Sequence, residues 1–60
     1  MGELEYLLDE IDKDIGNIKD DIANGALVDH AEYRHSCGVL QGLLKAKRHI
    51  IDLISKLEAN

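Results

Sequence analysis

Apolar residues recur at Leu4, Leu8, Ile11, Ile15, Ile18 and Ile22, in steps of 4, 3, 4, 3 and 4. That spacing keeps one narrow seam on one side of a helix, as in a coiled coil. Leu7 widens the seam slightly, and charge fills most of the remaining positions. AsnGly at 24–25 is a stop signal, because glycine adopts the left-handed conformation of a C-terminal cap without strain. The pattern predicts a first helix from about Glu3 to about Ala23.

The restart is equally legible. Asp29 is followed three positions later by Glu32, the spacing of a capping box. Val28 before the cap and Tyr33 inside the helix are placed to form a hydrophobic staple. A second helix is expected from about His30 to about Leu57, after a turn over Asn24–Asp29. Two long helices joined by a short connection form an antiparallel hairpin. The expected fold class is therefore all-α: a single helical hairpin over residues 1–60, with no linker, low-complexity segment or internal repeat.

The second helix carries more apolar surface than one neighbour can cover. At about 100° per residue, Val39, Leu43, Ala46, Ile50, Leu53 and Leu57 form one stripe. Cys37, Leu40, Leu44, Ile51 and Ile54 form another beside it. Together they span roughly 200°, against the ~100° or more that a single core-facing side requires. One stripe can meet the first helix, and the other needs a different cover. Gly38 and Gly42, with Ala31 and Ala46, make a row of small residues near one edge of the arc. Each interior glycine weakens the helix by ~1 kcal/mol relative to alanine, a cost that close approach of another backbone would offset; the alternative is glycines tolerated on a solvent face. Lys47 projects near the middle of the arc, where it must reach out to solvent or meet an acid across an interface. The expected interface residues are Cys37, Gly38, Leu40, Gly42, Leu44, Lys47, Ile51 and Ile54.

Length sharpens this. Sixty residues bury only ~60% of their unfolded surface, and a core of that size supplies about 3–5 kcal/mol at most. A single cysteine cannot form an internal disulfide, so another subunit is the expected remedy: a dimeric four-helix bundle, or docking on a larger protein. Charge is uneven. Residues 1–25 carry eight acids against Lys13 and Lys19, a net of -6, while residues 26–60 carry five bases against four acids, a net of +1. Opposite halves attract when laid side by side, although exposed charges guide pairing more than they stabilise it. The overall charge of -5 argues against general nucleic-acid binding. No apolar run approaches the ~18 residues of a membrane span, and the acidic start does not resemble a signal peptide.

Catalytic and metal chemistry is not expected. His30, His35, Cys37 and His49 lie five, two and twelve apart, so they fan around a helix rather than sharing a face. Cys37 reads as a small core residue, and a two-helix hairpin offers neither an oriented base nor a sheltered pocket. The paired acids Asp20 and Asp21 read as a solvated face. No phosphate loop or calcium loop is present, so no catalytic residue, metal ligand or cofactor is assigned.

GluTyrArg at 32–34, followed by Gly38, Gly42-Leu43, Ala46, Ile50 and Leu53, resembles small helical-hairpin proteins of tailed bacteriophages. The resemblance covers about residues 29–57 and implies a phage accessory protein on a head, portal or tail component, in the host cytoplasm or the virion. It transfers no catalytic residues. The size and plan are also similar to the plasmid copy-control hairpins whose dimers grip paired RNA loops with lysines and an aromatic of the first helix. Here that helix offers Lys13, Lys19 and Tyr6 among eight acids, while Arg34, Lys45, Arg48 and Lys56 lie on the second. A third reading is a small inhibitor of a host enzyme whose acidic helix imitates phosphates. The leading expectation is a non-enzymatic assembly protein whose partner is itself or a larger phage structural protein, without nucleic acid or membrane.

Overall fold

A computed structural model of the chain describes residues 2–25 and 29–59. It contains two α-helices, α1 (Gly2–Ala23) and α2 (His30–Ala59), packed as a hairpin, with no strand among the described residues. Both extend slightly beyond the ranges read from periodicity, by one residue at the start of α1 and two at the end of α2.

Local chemistry sets the inner ends. Asn24 N–H donates to the Asp20 carbonyl at 2.9 Å and Gly25 N–H to the Ile22 carbonyl at 3.4 Å. Gly25 has φ +68°, the left-handed conformation that lets the chain turn off the helix without a Cβ clash. At the restart, Glu32 N–H donates to Asp29 Oδ1 at 2.8 Å, and Tyr33 N–H donates to the Asp29 carbonyl at 3.1 Å. Asp29 is thus the N-cap of α2, satisfying a donor that the first turn leaves unpaired. His30 and Tyr33 stack one turn apart, ring centroids 6.5 Å. The expected staple rests on Val28, which lies outside the described residues, as do positions 26–28 of the expected turn.

The seam of α1 faces α2. Leu4, Leu8, Ile11, Ile18 and Ile22 are half-buried, and Ile15, in the middle of the row, is the one buried residue among those described. Its counterpart on α2 is Leu40, Leu43, Lys47, Ile50 and Ile54, again spaced 3 and 4 apart and half-buried. A seven-residue repeat with two inward positions is what two helices need to stay in register along their length.

The hairpin is thin. It extends 48 × 15 × 13 Å with a radius of gyration of 14.1 Å, against about 10 Å for a compact domain of this length. Its accessible surface is 4647 Å², roughly 700 Å² above the ~3,900 Å² of a compact monomer of its mass. With 30 residues against 22, α2 is the longer by about 12 Å at 1.5 Å per residue. Both helices begin or end at the same turn, so the C-terminal end of α2, with Leu57, extends past Gly2. No described helix is long and apolar enough to cross a membrane.

Candidate interaction surface

Helix α1 covers the middle of the apolar arc of α2, between the two stripes read from periodicity. At about 100° per residue, the half-buried seam draws Leu43 and Ile50 from one stripe and Leu40 and Ile54 from the other. The sequence reading gave one whole stripe to α1. The structure differs because a helix of ~10 Å diameter settles symmetrically on the broadest part of an apolar arc.

Two flanks remain uncovered. One carries Val39, Leu53 and Leu57, 40%, 45% and 40% exposed; the other carries Leu44 and Ile51, 44% and 45% exposed. The two helices run antiparallel, so their residues wind in opposite senses when both are viewed from the turn. Leu7 of α1, 46% exposed, therefore falls on the same side of the hairpin as Val39 and Leu53. Asp12 and Lys19 fall on the side of Leu44 and Ile51. Helix α1 is charged on both sides, and on the first it adds Leu7 to the apolar flank of α2, with Asp14 and Asp21 following at heptad spacing.

Lys47 sits at the centre of the covered arc. Its Nζ lies 2.8 Å from Oδ1 of Asp12 on α1, with both side chains more than a third exposed. Each Cα–Cβ bond leans toward the N-terminus of its own helix, so in an antiparallel pair these two side chains lean toward each other. The lysine methylenes lie along the seam and the charge emerges at its edge. A pair this exposed adds ~1 kcal/mol at most and acts mainly as a register mark. Lys13 makes a longer contact to Glu10 at 3.5 Å along α1.

The eight expected interface residues do not share one surface. Leu40, Lys47 and Ile54 turn toward α1 and are half-buried, and Cys37 is half-buried beside them as a free thiol. Leu44 and Ile51 stand exposed on one flank. Gly38 faces away from α1 and Gly42 lies at the outer edge of the opposite flank, next to Ala46. A Cβ built at either glycine meets nothing within 4 Å. Within a single hairpin, then, neither glycine is required by a close neighbour.

Comparison with known protein families, with curated proteins and with solved structures gave no match. The site therefore has to be read from its own chemistry. Among the described residues, no three of His, Cys, Asp and Glu are grouped to hold a metal ion. Two open depressions lie on the described surface, one lined by Ala31, Glu32, His35 and Ser36, another by Leu44, Lys45, Arg48 and His49. Neither encloses a reacting atom away from water.

Two features escaped the sequence reading. Asp12 is one of the eight acids of α1, and its place one residue past Ile11 puts it at the rim of the seam. Leu7 widens the first seam, and only the antiparallel packing brings it beside Val39 and Leu53. The signal for the first was available in the heptad spacing, and for the second it was not, because it depends on which way the partner helix runs.

Proposed function

We propose that this chain is a non-enzymatic assembly module, a hairpin whose packing is completed by another subunit. One observation carries the reading: a chain with one buried residue among those described leaves Leu7, Val39, Leu44, Ile51, Leu53 and Leu57 each at least 40% exposed. Exposed apolar patches of that kind mark interaction sites, and four-helix bundles bury two sides of every helix. The preferred assembly is a homodimeric four-helix bundle, with docking on a larger structural protein by the same flanks as the form it takes in a particle. The likeness of residues 29–57 to phage hairpin proteins supports a role beside head, portal or tail components, in the host cytoplasm or the virion.

Molar mass by light scattering, from low micromolar to submillimolar concentration, tests the reading. The expected result is twice the 6.7 kDa chain mass at the upper end, falling toward the monomer on dilution. A well-folded monomer at every concentration would overturn it.

A further inference from the structure

Resting on that assembly reading, we propose that the occupant of the Leu7–Val39–Leu53–Leu57 side is a second copy of this chain, related by a two-fold axis parallel to the helices. In that arrangement each α1 lies beside the α2 of the other copy, and both turns sit at one end of the bundle.

Area and composition choose the occupant and the side. The hairpin exposes roughly 700 Å² more than a compact monomer, close to the ~800 Å² that each partner buries in a standard interface. This side carries the larger apolar area, Leu7 with Val39, Leu53 and Leu57, and Asp14 and Asp21 follow Leu7 along α1 toward the net-positive α2 of the other copy, whereas the other side would have to bury the Asp12–Lys47 pair, whose desolvation is unfavourable. Gly42 and Ala46 lie along the α2 flank on this side. Their small side chains leave room for a neighbouring helix to approach closely. Counting from the turn, Leu7 of one copy reaches the level of Ala46 and Ile50 of the other. The C-terminal ends of the two α2 helices extend past α1 at the far end, where Leu57 of one copy can cover Leu57 of the other.

Charge chooses the axis. Helix α1 carries eight acids and two bases, a net of -6, and α2 carries five bases and three acids, a net of +2. Two hairpins can stack face to face in two symmetric ways. An axis across the helices sets α1 against α1 and α2 against α2, so that two helices of charge -6 lie ~8–10 Å apart. An axis along the helices sets each α1 against an α2 of opposite charge twice, and moves the like-charged helices to the diagonals. The second way lowers the electrostatic energy at every adjacent contact.

Distances between spin labels on the assembled full chain test this. The native thiol is removed by Cys37→Ala, and a label is placed at the turn through Asn24→Cys. A second variant, Lys56→Cys, puts the label at the other end, so one poorly folded variant does not leave the question open. The expected result is a single distance of about 15–30 Å in both variants, the diagonal of a bundle with ~8–10 Å helix spacing plus the label arms. Distances approaching the 48 Å length of the hairpin in a dimeric sample would overturn the arrangement and leave the assembly reading standing. A monomer in every sample, unlabelled parent included, would overturn both. Leu53→Asp is expected to abolish the dimer and Leu44→Asp to preserve it; the reverse pattern would put the second copy on the other side.

Discussion

Shortening Ile15 to alanine will cost the hairpin its cooperative unfolding transition. Ile15 is 6% exposed and lies midway along the α1 seam, with half-buried seam residues on either side of it. Truncating a buried isoleucine costs about 2–5 kcal/mol, against a total of about 3–5 kcal/mol for a core of this size. Circular dichroism during heating checks it: the parent should lose its helical signal over a narrow range, and Ile15→Ala should show a broad, early decline. Leu44→Ala, at a site 44% exposed on the flank away from the second copy, should leave the melting nearly unchanged. Equal melting of Ile15→Ala and the parent would mean that the core is centred elsewhere.

Replacing Gly42 with leucine will weaken assembly while strengthening the helix that carries it. Inside one hairpin a side chain at Gly42 meets nothing within 4 Å, and leucine gains up to ~1 kcal/mol in helix propensity over glycine. Against a closely packed second copy, the extra atoms cost about 1–3 kcal/mol, a loss of about 5- to 150-fold in dissociation constant. The two effects have opposite signs, and the contact side prevails when the flank is occupied. Gly38→Leu is the matched control, since Gly38 faces away from α1 and off both flanks; it should melt higher with its mass unchanged. Sedimentation and melting of the two variants side by side decide the matter. Higher melting of Gly42→Leu with the dimer intact would place that glycine on a free surface.

The elements were legible because their signals are local. The α1 seam repeats without interruption from Leu4 to Ile22, and every inward position is aliphatic. Gly25 and Asp29 announce the stop and the restart through the backbone conformation one requires and the hydrogen bond the other makes. The centre of the α2 arc was harder to find because a charged residue occupies it. Lys47 lies between the two stripes when the apolar positions are sorted by helical angle, and α1 settles over the divide. Of the two outcomes the sequence leaves to that ammonium, reaching solvent or meeting an acid, the structure pairs it with Asp12 of α1 at 2.8 Å.

The surface was legible in amount and not in place. Counting apolar positions on α2 establishes that one neighbour is insufficient, since the excess is a property of that helix alone. Which flank goes with Leu7 depends on the relative direction of two helices, and that is settled only by their packing. Gly38 and Gly42 look equivalent in sequence, four residues apart, yet they point differently once α1 fixes the inward direction. Gly42 borders an apolar flank and Gly38 does not.

On the proposed function this hairpin reaches full stability only against another subunit, and the dependence of its melting on concentration tests that most directly. For a dimer that unfolds to separate chains, mass action makes the melting temperature fall as the protein is diluted. The expected result is a transition that shifts steadily downward across a dilution series, with the dimer's mass lost over the same range. A sharp transition at one temperature throughout the series, from a species of 6.7 kDa, would contradict it.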